Sequence, residues 1–227
     1  MIYGLSDLHL DITKEKDMGV FGDNWYNYEK RIKENWSQVV KDDDLVLVRG
    51  DISWAMTVRE AYNDLKRLDN LPGKKVLIKG NHDYWWHSLK KINALNLKSL
   101  YFLQNDSYLF DSYTICGSRA WLNKDHSDFS ENDEKIYRRE LIRLDLSLSE
   151  GIKNNNDIIV MLHYPPFNKN LEGNDFHELM MEYGVKHCVY GHLHGDSLRD
   201  IKEGNVDGIN YHCISADYLG FIPKKII

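Results

Sequence analysis

Five short apolar runs each stop at a polar residue able to bind a cation, and that repetition constrains the fold more than any other feature of the chain. The runs are residues 2–5, 45–48, 76–78, 158–162 and 188–190. They are short, rich in Val, Ile and Leu, and mostly without polar alternation, which reads as strands covered on both faces. Between them apolar residues recur at helical spacing. Trp25, Tyr28, Ile32, Trp36 and Val39 form one such stripe, and Val58, Ala61, Leu65 and Leu68 a second. Tyr137, Leu141, Leu144 and Leu148 repeat it, as do Phe176, Met180 and Tyr183. Strands alternating with helices predict a layered α/β fold.

The middle of the chain differs. "SLYFLQNDSYLFDSYTICGS" holds several strand-like pieces separated by the turn signals "QND" and "DS", with no helix between them. That predicts consecutive antiparallel strands, and "HCISADYLGF" offers another strand near the end. Two mixed sheets are therefore expected rather than one doubly wound sheet. Without a repeat, a low-complexity tract or a proline-rich linker, residues 1–227 read as a single domain. Two polar excursions, 10–24 and 119–135, have the length of functional loops.

Composition narrows the function classes. Hydrophobic residues at 42% and charged residues at 28% suit a soluble globular protein. A net charge of -6 argues against a broad nucleic-acid footprint, which needs a basic face. Cys116, Cys188 and Cys213 are odd in number and widely spaced, so neither a paired zinc motif nor a disulfide framework is expected. They read as small buried side chains. The start, "MIYGLSDLHL", has neither the basic region nor the apolar region of a leader, and no stretch approaches the roughly 18 apolar residues of a membrane span. A cytoplasmic location is the expectation.

The informative pattern is where the polar residues fall. The first run is followed by "SDLH", with Asp7 and His9, and the second by "GD", with Asp51. The third is followed by "GNHD", with Asn81, His82 and Asp83. After the fourth comes "HYPP", with His163, and after the fifth "GHLH", with His192 and His194. In α/β sheets the carboxyl ends of strands meet along one edge, so residues far apart in sequence can converge there. Glycines at 50, 80 and 191 would let the backbone turn sharply before each ligand. Each pair alone has a plain structural explanation as a turn or a cap. All five in one order do not.

With these blocks in view, the sequence resembles the calcineurin-like metallophosphoesterase superfamily, whose pattern is Asp-x-His, Gly-Asp, Gly-Asn-His-Asp/Glu, His and Gly-His-x-His. The match runs from residue 7 to residue 194 and leaves only the C-terminal tail outside it. The resemblance implies a four-layer α/β/β/α sandwich of two mixed sheets flanked by helices. It also implies two metal ions. A ligand set of carboxylate, imidazole and amide oxygen without thiolate suits manganese, iron or zinc. Carried over, the pattern gives Asp7, His9 and His194 to one metal and Asn81, His163 and His192 to the other, with Asp51 bridging both. His82 would be the catalytic residue, stabilising the phosphoryl group and protonating the leaving oxygen while metal-bound hydroxide attacks in line. Asp83 would either orient the His82 ring or cap a helix beginning near Tyr84.

Other residues are weighed on their own chemistry. Trp85 shares a helical face with Leu89 and Ile92 and reads as core. Trp54 and Trp86 read as packing in preference to substrate stacking, and Tyr164 as a wall of the site. Arg119, Lys124 and His126 could meet an anionic group, with solvent exposure as the plainer expectation for each.

The blocks "GDISWAM" and "GNHD" depart from the Gly-Asp-x-Val-Asp-Arg-Gly and Gly-Asn-His-Glu of protein serine/threonine phosphatases. Double-strand-break nucleases of the superfamily are longer and carry extra DNA-binding parts. "SDLHL" is similar to bacterial small-molecule branches, including cyclic-nucleotide phosphodiesterase-like and lipid-precursor pyrophosphatase-like enzymes. The expectation is a phosphohydrolase acting on a small-molecule phosphodiester or phosphomonoester. The alternatives are a non-catalytic metal-binding scaffold of the same fold, or a nuclease.

Overall fold

The computed structural model describes residues 1–13 and 15–227; Lys14, inside the 10–24 excursion, lies outside them. In the first sheet β1 (Ile2–Gly4), β2 (Leu45–Val48), β3 (Lys74–Leu77) and β4 (Leu100–Phe102) run parallel, and β11 (Lys224–Lys225) closes the β1 edge antiparallel. The second sheet has the order β5 (Tyr108–Phe110), β6 (Tyr113–Ser118), β7 (Asp157–Leu162), β8 (His187–Tyr190), β10 (Ile209–Cys213), β9 (Gly204–Val206). Its four central strands are parallel, and β5 and β9 pair antiparallel at the edges.

Alternation along the strands produces three apolar layers. Val46 and Val48 of β2 face the helices α1 (Tyr28–Val39), α2 (Val58–Asp69) and α3 (Leu89–Asn93), through Ile32, Trp36, Leu65 and Ile92. Leu45 and Leu47 point the other way, onto Ile115, Ile159 and Met161 of the second sheet. Val160 and Leu162 of β7 then face Tyr137, Leu144 and Phe176 on α4 (Glu131–Gly151) and α5 (Asp175–Glu182). Helices, sheet, sheet and helices therefore stack in four layers, each pair sealed by its own apolar seam. A strand with both faces in a core has no use for polar alternation, which is why these runs read as continuous.

Local chemistry fixes the helix starts. Thr57 and Glu60 exchange side-chain and backbone hydrogen bonds ahead of α2, and Ser130 and Asp133 do the same ahead of α4. The second pair shortens the 119–135 excursion, since residues from Glu131 onward are helical. Trp25 also leaves its expected helix: it sits in a 3-10 turn, Asp23–Trp25, ahead of α1.

The middle segment corrects the expected run of antiparallel strands. β4 is parallel to β3, because α3 and its flanking turns supply a crossover between them. Within this segment β5 and β6 do form a hairpin, and they belong to the other sheet. The tail beyond residue 194 is part of both sheets, through β9, β10 and β11. All three cysteines are free and buried. Among the described residues, no helix is long and apolar enough to cross a membrane.

Candidate metal centre

The strand ends converge where the parallel order requires. Asp7 and His9 follow β1, Asp51 follows β2, Asn81 follows β3, His163 follows β7, and His192 and His194 follow β8. Their ligand atoms form two groups. Asp7, His9 and His194 make one, and Asp51, His163 and His192 the other, with the atoms of each group within 4.8 Å of one another. Asn81 Oδ1 joins the second group at 2.5 Å from His163 Nε2. Asp51 Oδ2 lies 3.6 Å from His163 Nε2 and 3.9 Å from His9 Nε2, between the two groups.

Holding these side chains costs backbone strain. Asp7 (φ 55°), His9 (φ 44°), Asp51 (φ 48°) and His192 (φ 68°) all adopt left-handed conformations that non-glycine residues rarely occupy. Such strain, about 1–3 kcal/mol per residue, persists where surrounding structure over-determines it and concentrates at functional sites. Of the three glycines expected to supply sharp turns, only Gly50 (φ 108°) has positive φ. Gly80 and Gly191 supply room instead. A Cβ on Gly80 would strike Asp51, and one on Gly191 would strike the Arg49 guanidinium.

Arg49 is a residue that sequence reasoning missed. Fully buried, it pairs with Asp7 Oδ2 and donates to the His163 carbonyl at 3.1 Å and to Ser215 Oγ at 3.0 Å. Its signal was legible, a cation at the end of the apolar run "LVLV" immediately before Gly50 and Asp51. Asp217 was missed too: its Oδ1 accepts from His194 Nδ1 at 2.9 Å, which turns Nε2 toward Asp7. No spacing rule links a tail residue to the fifth block.

The donor atoms suit cations. Asp7 Oδ1, His9 Nε2 and His194 Nε2 are buried with no hydrogen-bond partner among the described residues. Buried polar atoms are normally paired, so three orphans aimed at one point call for a ligand. Burial holds the imidazoles of His9 and His192 down to about 3 and that of His163 well below the usual range, which keeps them as neutral donors. His194 is raised: burial opposes its charge, but Asp217 and Asp7 outweigh that. Asp51 is pushed up by burial and by the neighbouring carboxylates Asp83 and Asp7, a repulsion that a bound cation would reverse.

His82 projects beside this cluster. Its backbone N–H donates to Asp51 Oδ1 at 2.9 Å, and its buried Nδ1 has no partner. The expectation that Asp83 orients this ring, or caps a helix near Tyr84, is corrected. Asp83 is fully buried and accepts from the backbone N–H groups of Gly80 (2.8 Å), Ile52 (2.9 Å) and Ser53 (3.3 Å), and from Trp85 Nε1 (3.0 Å). Among the described residues these four donors are the partners of the two oxygens and the His82 ring is not one of them, and the next helix starts only at Leu89. The His82 ring instead packs against Trp54, centroids 4.6 Å apart, while Trp54 stacks on His9 at 4.9 Å.

The surrounding aromatics divide. Trp85 and Trp86 are core, Trp86 Nε1 donating to Gln104. Tyr164 lies 4.2 Å from His192, as a wall of the site. The 10–24 excursion reaches the centre too, with Phe21 5.6 Å from His194, and Trp25 just after it lies 5.7 Å from the same ring. Lys124 and His126 are exposed, but Arg119 is not: its side chain retains 13% exposure and lies over Trp121.

The family model described as Calcineurin-like phosphoesterase matches residues 1–196. The Gene 66 protein of Mycobacterium phage L5 is 33% identical over 78 residues, 34% of this chain and 37% of that protein. The Uncharacterized protein MJ1445 of Methanocaldococcus jannaschii is 30% identical over 105 residues, 46% of this chain and 56% of that protein. These matches span 37% and 56% of the relatives' own lengths. The crystal structure of Phosphopantetheinyl Hydrolase (PptH) from Mycobacterium tuberculosis superposes with a TM-score of 0.54 at 13% identity, covering 94% of this chain and 88% of that one. At that identity the likeness is one of fold.

Proposed function

The chain belongs to the calcineurin-like phosphoesterase family, and from that premise we propose that it is a dinuclear metal-dependent phosphohydrolase of a small phosphodiester or phosphomonoester. The observation that carries the reading is the position of Asp51 Oδ2, 3.6 Å and 3.9 Å from imidazole nitrogens of two separate ligand groups. A carboxylate has two oxygens and can serve two cations; an imidazole has one free lone pair. Asp7, His9 and His194 would hold one ion, Asn81, His163 and His192 the other, and Asp51 both. If the His163 Nδ1–H donates to the Arg49 carbonyl, 3.2 Å away, His163 Nε2 and Asn81 Oδ1 face each other as two acceptors, an opposition that a shared cation would relieve. Manganese, iron or zinc matches this oxygen and nitrogen set.

When bound, two such ions would activate water as a nucleophile and neutralise phosphoryl charge. The remaining work falls to side chains of this chain. Arg49 and Asp217 fix the directions of Asp7 and His194 from behind. His82, standing beside the cluster with an unpartnered ring nitrogen, supplies a proton to the departing oxygen. Trp54 holds the His82 ring by packing, since no carboxylate does.

The test uses metal-stripped protein with manganese added back, offered a bis-aryl phosphate and the matching mono-aryl phosphate. Metal-dependent turnover of the diester supports a phosphodiesterase, and turnover of the monoester alone a phosphatase. Turnover of neither, in protein that binds two ions per chain, would favour the scaffold alternative.

A further inference from the structure

Beside the candidate centre, between the ends of β3 and β6, lies a cavity of about 40 Å³ whose polar lining includes Lys79, Gln104, Arg119, Glu140 and Arg143. At roughly 10–15 Å³ per water, it admits a few waters or the oxygens of one anionic group. Its lining connects to the segments that carry the ligands at two points. Lys79 is two residues before Asn81. The Arg119 carbonyl accepts from the backbone N–H groups of His163 (3.2 Å) and Tyr164 (3.1 Å).

The charges around the cavity do not cancel. Among the described residues Glu140, 1% exposed, is the only carboxylate in the lining, against the cations Lys79, Arg119 and Arg143. Glu140 Oε1 already receives Arg143 Nη1 at 2.8 Å and Arg119 Nη2 at 3.3 Å, with Arg139 Nε 3.8 Å away. Among the described residues Lys79 Nζ reaches only the Trp86 carbonyl, at 3.1 Å. Arg119 Nε is buried without a partner among the described residues. Gln104, whose Oε1 accepts from Trp86 Nε1, keeps its amide N–H groups for another acceptor. Arg119 fastens α4 through Glu140, whereas Arg139 and Arg143 belong to that helix themselves. The lining thus carries a local excess of cations in a chain of net charge -6.

We propose that this cavity is a subsite for a second, non-reacting anionic group of the substrate, a phosphate or a carboxylate, held by Arg119, Arg143 and Lys79. The proposal rests on the phosphohydrolase reading and adds a substrate class to it: phosphoesters that carry another anionic group. Arg119 is suited to the task because a planar guanidinium presents several donors at once, and its stacking on Trp121, 4.2 Å from the ring centre, keeps it in place.

Two aryl phosphodiesters with the same reacting group, one bearing a carboxylate arm and the other its methyl ester, test it in the metal-loaded protein. The carboxylate substrate is expected to be preferred in kcat/KM roughly tenfold to a hundredfold, and that ratio to fall toward one in Arg119→Gln and in Arg143→Gln. A ratio of one in the unmodified protein, or a ratio that both variants keep, overturns the proposal. A binding arm separates its failure from failure of the phosphohydrolase reading. Inorganic phosphate is titrated into the metal-stripped full chain while the melting temperature is followed. A rise in the unmodified chain that both variants lose supports the subsite even if no ester is turned over. No rise, or an equal rise in all three proteins, counts against it. A rise lost in the variants together with a kinetic ratio of one would assign the cavity to free phosphate and overturn the substrate claim.

Discussion

Asp83 Oδ1 accepts the backbone N–H of Ile52 at 2.9 Å, so a buried carboxylate in the loop after β3 ties down the loop after β2. The two loops carry Asn81 and Asp51, so this bond sets where the Asn81 amide stands relative to the Asp51 carboxylate. Asp83 is thus a fastener of the backbone beneath the centre. Asp83→Asn, which turns an amide donor toward N–H groups, is expected to cost about 2–4 kcal/mol of stability and to weaken metal binding. Denaturant unfolding and a metal titration read both. A variant with normal stability and metal content but impaired turnover would return Asp83 to the role of orienting His82.

His82→Ala is expected to lower turnover roughly 100- to 10,000-fold, the usual contribution of a general acid, while metal content stays at the unmodified level. Its backbone N–H, which donates to Asp51, survives the substitution. Loss of metal in this variant would mean that the ring is a ligand.

Asp217 reaches the centre from the tail, through His194 Nδ1. Asp217→Ala is expected to weaken binding of one of two manganese ions roughly 10- to 100-fold and to leave the other largely unchanged. A calorimetric titration resolves the two events. Equal weakening of both would show that the tail supports the fold rather than one imidazole.

Lys75 gives a pH signature remote from the centre. Its ammonium is buried where β3 meets the end of α2, with Ser99 Oγ 3.0 Å away, and burial lowers it to about 8 from 10.5. Between those values the unfolded chain binds more protons than the folded one, so this residue's contribution to stability rises as pH increases from about 8 toward 10.5. Melting temperatures of the unmodified protein and Lys75→Met, compared across that range, should diverge in favour of the unmodified protein as pH rises. A constant difference would contradict the assignment.

Much of this architecture was legible in the chain. The strands after which Asp7, Asp51, Asn81, His163 and His192 fall are continuous apolar runs because both faces are buried, and such runs are hard to read otherwise. The direction of β4 was not legible, because a five-residue helix with irregular flanks leaves little periodicity to announce a crossover. The partner of Asp83 could not be read from its neighbour His82: adjacency along the chain invites a carboxylate–imidazole pair, whereas the fold offers the carboxylate three N–H groups from two loops. Asp217 and His194, 23 residues apart, meet only because β10 lies beside β8. Arg119 appeared bound for solvent in a polar segment, yet α4 and Trp121 enclose it.

In the proposed centre Asp51 serves two ions at once, which manganese paramagnetic resonance together with a metal count would reveal. The metal-stripped chain, reloaded with manganese, should bind two ions per chain and give an exchange-coupled signal, and Asp51→Ala should lose both the signal and the paired stoichiometry. A single uncoupled ion in the unmodified protein, or two coupled ions retained in Asp51→Ala, would contradict the account.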